Sequence, residues 1–508
     1  MAYYILKSYK LRFEPAQIFA AFKNYRNCFF LDSSLNFNSL GRYSFLGIEP
    51  FYTLKTKNQD PFPRLREIIE QYKISLPKNN LPFLGGAVGY LSYDLGLILE
   101  KKIKSKPKAD IGIPDCFFGF YNTLIIIDHL KQLLYVSAIG FPERKYRLAK
   151  SLCECNFRKT HKLLSKITDV QKPILNADIR KSSAIGGSAF GGNADLRRLY
   201  SRNNLRPSAC PEISGSRRGA ETKNYIRDNL RESALKDIQI ESNFKKEDYL
   251  SAIKRAKEYI RKGDIYQVNL SQQFMAKSPL SDFQIYERLR RISPSYFSAY
   301  FNAGGFQILS SSPERFLRLE NNIVITRPMK GTRPRGRNRI RDTALKKKLL
   351  KSAKDKAELV MIVDLERNDL GRVCSYDSVR VATLRELEEY STVFQTTATV
   401  EGRLHKDKDR IDLLRACFPG GSITGCPKIR AMEIIEELEP SRRAIYTGAL
   451  GYLSFSGSMD FNILIRTILK KEDWLYFSVG GGIVTDSKPE DEYQETLVKA
   501  RAMMQAIA

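Results

Sequence analysis

The chain has 508 residues, 43% of them hydrophobic and 28% charged, and 84 Lys and Arg against 56 Asp and Glu give a formal net charge of +28. This is the composition of an ordinary globular chain, long enough for one large domain or two smaller ones, and it excludes a fibrous or low-complexity polymer. No apolar run approaches the roughly 18–20 residues that span a bilayer, and the start MAYYILKSYKLRFEP lacks a basic segment leading an apolar one, so a cytoplasmic location with no membrane partner is expected.

The charge by itself points to nucleic acid or an acidic surface. The basic residues are spread along the chain, however, with no zinc finger, aromatic RNA-binding signature or basic zipper beside them. A basic surface with no nucleic-acid partner is therefore expected, and a non-catalytic scaffold or RNA-binding protein is the alternative of a different class. Eight scattered cysteines and three histidines make no zinc set and read as free thiols in a reducing compartment.

In chain order, residues 1–170 mix strand-like runs such as TLIIID at 123–128 with the Gly-rich PFLGGAVGYLSYDLG at 82–96. Isolated glycines among apolar and aromatic residues suit bulged or closely packed strands. Residues 176–238 are rich in Ser, Gly, Arg and Asn and lack apolar periodicity, which reads as a mobile linker or insertion. From residue 241 the text becomes regular. KEDYLSAIKRAKEYIRK at 246–262 has helical spacing closed by Gly263, and further helices are predicted at 343–367, 427–438 and 489–507. Between them run strand-like segments, so the prediction is an α+β fold built on antiparallel sheet.

Chemistry-bearing residues cluster in this last region. Asp355 and Glu358, and again Glu492 and Glu495, lie three apart on predicted helices, the second helix with Ser487 as a possible cap. Four carboxylates on two helices can build an oxygen-only site for a hard divalent cation, although such spacing equally makes a solvated face. Gly480, Gly481 and Gly482 could turn backbone N–H groups toward an anion. The turn FPGGSITG precedes a helix whose start attracts negative charge, but Cys426-Pro427 rules out a nucleotide P-loop. Arg466 interrupts the apolar run FNILIRT and calls for a carboxylate partner. Lys330 sits in a Pro- and Gly-flanked turn, RPMKGTRPRG, where neighbouring cations or desolvation could lower its pKa and free its amine as a nucleophile, although a solvated lysine in a basic loop is the plainer reading.

Eight segments occur in order: GDIYQVNLSQQF, SSSPERFL, RPMKGTRPRG, ELVMIVDLERNDLGRV, TATVEGRL, FPGGSITGCPKIRAMEIIEELEP, IYTGALGYLSFSGSMDFNILIRT and GGGIVTDSKPEDEYQETLVKA. Together they resemble the chorismate-utilising enzyme family over residues 241–508, and more faintly through FLDSS, RYSFLG and PFLGGAVGYLSYDLG near the start. The resemblance implies two large antiparallel sheets packed face to face and flanked by helices, with Mg²⁺ beside the substrate. It implies Glu358 and Glu495 as metal ligands with Asp355 and Glu492 next to them. Arg466, Tyr446, Thr332, Thr424 and the Gly480–Gly482 backbone would hold chorismate, and Glu314 would be the general acid.

Within that family, water-adding members carry a lysine base where this chain has Gln267. Anthranilate synthases resemble PIAGT where aminodeoxychorismate synthases resemble PIKGT and this chain reads PMKGT. The resemblance therefore implies the aminodeoxychorismate branch of folate biosynthesis, with Lys330 forming a covalent adduct at C2. Anthranilate synthase component I is the nearest alternative. Gln395 stands where members often carry a histidine, a departure that fits a product keeping its enolpyruvyl group. No cysteine sits in a glutaminase-like elbow, so a separate glutamine amidotransferase subunit is expected to supply ammonia, and the N-terminal region is a candidate site for tryptophan.

Overall fold

A computed structural model describes residues 3–35, 40–74, 81–104, 106–167, 175–177, 238–390 and 393–508. The reading of 176–238 as a mobile insertion lies outside the described residues apart from their edges.

Two antiparallel sheets organise these residues. The larger has thirteen strands and carries, side by side, Gln267–Lys277, Trp474–Ile483, Thr467–Lys471, Gln307–Ser312, Phe297–Asn302 and Phe29–Asp32. The smaller has ten, beginning with Met329–Pro334, Val393–Arg403, Ile323–Arg327, Arg315–Glu320, Met459–Ile463, Ala449–Ser454 and Gly86–Leu91. Residues 1–170 and 241–508 share both sheets. Phe29–Asp32 pairs with Phe297–Asn302 in one, and Gly86–Leu91 with Ala449–Ser454 in the other.

Alternation along the strands explains how the layers form. Phe29, Leu124 and Ile126 from the larger sheet meet Val88, Tyr90, Phe117 and Leu450 from the smaller in one buried cluster. Their neighbours Phe30, Ile125 and Ile127 point the other way, into a second buried cluster with helices Tyr146–Ser165, Asp282–Ile292 and Pro489–Ile507. Both faces are covered, which is why TLIIID reads as an unbroken apolar run. Gly89 is required locally, since a β-carbon there would collide with the Phe117 carbonyl in the paired strand.

Several expectations shift. The helix predicted at 343–367 is two helices, Arg339–Lys351 and Ala353–Gly371, separated by Ser352, whose hydroxyl caps the second through the Asp355 N–H at 3.2 Å. Ser487 does not cap the C-terminal helix. Its hydroxyl donates to Glu492 Oε1 at 2.6 Å. Lys330, expected in a Pro- and Gly-flanked turn, lies in a strand at the edge of the smaller sheet, while Gly480–Gly482 fall within strand Trp474–Ile483.

Candidate functional site

The site forms where the end of the larger sheet meets the edge of the smaller one. Lys330 pairs with Thr396 across strand Val393–Arg403, and a bulge at Gly331, with φ +76°, separates it from the Thr332–Gln395 pair. The left-handed bulge lets the strand pass Asp355 and Leu349 closely, since a β-carbon on Gly331 would lie 3.0 Å from each. Lys330 Nζ donates to the Ser422 carbonyl at 3.1 Å. Burial lowers its pKa, and Lys499 acts in the same direction while Glu314, Glu358 and Glu495 oppose it. A lysine so placed holds its amine free at lower pH than one in water.

Glu314 follows the buried strand Gln307–Ser312 and is 4% exposed. Burial pushes its pKa up to about 7, against the Ser422 hydroxyl, which donates to Oε1 at 2.6 Å, and the nearby Lys330 charge. A carboxyl poised near neutrality can donate a proton at working pH. Behind it, burial and the neighbouring Asp369 raise the pKa of Glu366.

On the metal-site question, helices Ala353–Gly371 and Pro489–Ile507 bring Glu358, Glu492 and Glu495 within electrostatic reach of one another. Burial raises the pKa of Glu358 and Glu492, and for Glu492 the Ser487 bond opposes this while Glu495 adds to the rise. The charge of Lys499, 2.7 Å away, holds Glu495 low. Asp355 is already paired with Arg333 at 2.6 Å. Among the described residues no three His, Cys, Asp or Glu side chains converge as a ligand set. Mg²⁺ asks for less, taking one or two carboxylates with water and substrate oxygens. The desolvated Glu358 and Glu492 and the Lys499-paired Glu495 present carboxylates from two helices in keeping with that role.

The anion-binding candidates divide. Arg466 lies between strands in the left-handed region, φ +49°, and not within a strand as its apolar context suggested. Its guanidinium reaches only Ser293 Oγ, at 3.4 Å, and burial lowers its pKa, so the carboxylate its context called for is not a protein side chain among the described residues. Tyr446 is buried, its pKa pushed to about 12, with its hydroxyl against Gly480. Strand Thr467–Lys471 stops pairing at Phe477, leaving one edge of residues 478–482 without a strand partner. The buried Thr424 instead donates to the Gly420 carbonyl at 3.0 Å, and Thr332 accepts from the Gln395 amide at 3.3 Å. Gln267 is 1% exposed, and its amide crosses Gly482 so closely that a β-carbon there would have to displace it. The carbonyl oxygens of Gln267 and Gln395 are buried without a partner.

Ser422, Glu366, Lys499 and the Glu439–Arg443 pair went unread in the sequence. Only the Gly-rich turn hinted at the first. Apart from this site, FLDSS and RYSFLG border a cavity of about 250 Å³ between the sheets, also lined by Arg42, Tyr296 and Tyr452.

A profile described as chorismate binding enzyme matches residues 196–505. The chain is 36% identical to anthranilate synthase component 1 of Acetivibrio thermocellus over 97% of its length and 92% of that protein. It is 35% identical to aminodeoxychorismate synthase component 1 of Salmonella typhimurium, covering 91% and 89%. The solved anthranilate synthase component I of Streptococcus pneumoniae superposes with a TM-score of 0.69 at 30% identity, over 92% of this chain and 94% of that one. Isochorismate synthase MenF of Escherichia coli shares the fold at 15% identity, with a TM-score of 0.67 over 100% and 95%. The two-sheet architecture, the site and these similarities agree that the chain belongs to the chorismate binding enzyme family.

Proposed function

We propose that this chain is the chorismate-converting subunit of an aminodeoxychorismate synthase. The observation that carries the reading is the pairing, through one residue, of a desolvated lysine amine with a protonatable buried carboxyl: Lys330 and Glu314 both bond to Ser422. The relatives bear the names of both branches, so the choice rests on these groups. Gln267, an amide, cannot deprotonate water, which argues against hydroxylation.

In this reading Arg466, Tyr446 and the free edge at Gly480–Gly482 hold the substrate carboxylates. Thr332, Thr424 and Gln395 border the ring. Glu358 and Glu495, with Glu492 beside them, would hold Mg²⁺, which when bound offsets the charge of the ring carboxylate. The neutral Lys330 amine attacks C2, the ring double bond shifts, and the C4–O bond breaks as Glu314 gives its proton to the departing water. Ammonia then attacks C4, the double bond shifts back, and the C2–N bond breaks to return the lysine as free amine. The new ammonium group hands one proton to Glu314, so the sum is chorismate plus ammonia to 4-amino-4-deoxychorismate plus water. The name component 1 on both sets of relatives fits a second subunit, and a glutamine amidotransferase would supply the ammonia.

Chorismate, Mg²⁺ and ammonium with the purified protein should give a product retaining the enolpyruvyl group, identified by mass. Lys330→Ala should reduce its formation at least 100-fold. Anthranilate with released pyruvate would place the chain in the other branch. Tryptophan is the proposed occupant of the cavity between FLDSS and RYSFLG, and calorimetric titration showing no binding at millimolar concentration would remove it.

A further inference from the structure

We propose that Ser422 is a positioning residue that joins the proton donor to the nucleophile, its hydroxyl fixing the Glu314 carboxyl and its carbonyl oxygen fixing the Lys330 amine. The inference rests on the roles given above to those two groups, and it adds the element that sets their spacing and protonation. Ser422 is 6% exposed and sits in the short turn Gly421–Ile423. Its hydroxyl donates to Glu314 Oε1 at 2.6 Å, and Lys330 Nζ donates to its carbonyl at 3.1 Å. A serine can hold both because side chain and backbone carry separate acceptors and donors.

The turn that presents Ser422 is held from all sides. Thr424 donates to Gly420 and Gly421, while Asn269 and Arg443 donate to the Ile423 carbonyl at 3.0 and 3.1 Å. Beneath it, a β-carbon on Gly421 would lie 2.7 Å from Leu365 and 3.2 Å from Glu366 Oε1, so the backbone rests directly on helix Ala353–Gly371. The Ser422 hydroxyl therefore has little freedom to turn elsewhere, and its bond to the acid is built into the fold.

The charged groups facing Glu314 are Lys330 from strand Met329–Pro334 and Glu366 from that helix. A hydroxyl donating to a carboxylate favours the charged form, so Ser422 works against burial and brings the acid down toward neutrality. Removing the hydroxyl leaves the carbonyl that holds Lys330 untouched. Ser422→Ala should thus raise the pKa of Glu314 while leaving the amine in place.

Two readouts test this. The Glu314 carboxyl band, isolated by subtracting the infrared spectrum of Glu314→Gln, can be titrated in the ligand-free protein. It should move upward by roughly one pH unit in Ser422→Ala. In turnover, the inflection near pH 7 should move the same way, and kcat should fall about tenfold with KM within twofold. Ser422→Thr keeps a hydroxyl and should restore both. If Ser422→Ala does not fold, Ser422→Cys, a weaker donor, should give a smaller shift of the same sign. An unchanged infrared titration, or a threonine variant that behaves like alanine, overturns the proposal. The infrared titration needs no turnover, so it stands or falls independently of whether the product is aminodeoxychorismate or anthranilate.

Discussion

Arg443 and Arg466 lie on either side of strands Ala449–Ser454 and Met459–Ile463, and both are withdrawn from water, yet their surroundings differ in kind. Arg443 is saturated. It makes two bonds to Glu439 at 2.8 and 2.7 Å and reaches the Asn269 and Ile423 carbonyls, while Glu439 also accepts from the backbone and hydroxyl of Ser271. This group ties the Gln267–Lys277 strand to the turn that carries Ser422. Arg466 has one long bond to a serine. A buried charge with all its partners serves as a brace. Arg466, partly buried and short of partners, is in the proposed function the group that meets a substrate carboxylate, which would offset its lost hydration.

The comparison breaks or holds on a pair of substitutions. Arg443→Leu strands the Glu439 carboxylate in the interior and should cost about 3–5 kcal/mol in urea unfolding. Arg466→Leu removes a charge that has no carboxylate partner among the described residues, so stability should not fall by more than about 1 kcal/mol and can rise. Its effect should appear in binding, with KM for chorismate rising roughly 100-fold as charge-assisted bonds are lost. Should Arg466→Leu unfold as readily as Arg443→Leu, Arg466 is a brace as well and the anion site must lie elsewhere.

Glu314 stands between these cases: a buried acid that escapes its charge by keeping its proton. Folded, it holds the proton to about pH 7, and unfolded it releases it near 4.5. Between those values the folded chain binds more protons, so this group's contribution to stability falls as pH rises and is fully lost above 7. Glu314→Gln should match the parent near pH 4 and exceed it by roughly 3 kcal/mol at pH 8, while losing turnover. Equal thermal stability of the two proteins at pH 8 would show that Glu314 is charged and well solvated there.

How much of this was legible beforehand follows from what is local. TLIIID, the helix at 246–262 and the eight ordered segments carry their meaning within a dozen residues, and the two-sheet fold came with them. Lys330 and Glu314 were visible as motif residues. Their coupling was not, because Ser422 is 92 residues from one and 108 from the other and meets them only through sheet and turn register. Arg466 looked like a strand residue because its neighbours are apolar, although the chain turns there. Likewise Ser487 sits where a cap belongs, but Glu492, five residues on, takes its hydroxyl. Ser352 broke a helix that apolar spacing alone ran straight through.

The smallest effect concerns the brace itself. Ala444, directly after Arg443, is held at φ +51° and is buried, its N–H donating to Asp94 Oδ2 at 2.9 Å. An L-residue pays about 1–2 kcal/mol for the left-handed region, whereas glycine enters it freely. Ala444→Gly would relieve that strain and lose about 0.4–1 kcal/mol to the greater freedom of the unfolded chain. The net should be a gain of about 0.5–1 kcal/mol, read as a Tm rise of a few degrees at most with unchanged KM. A fall in Tm would mean that the buried methyl packs better than the backbone is strained. The Arg443 network would then be holding a well-filled turn, with no strain for it to restrain.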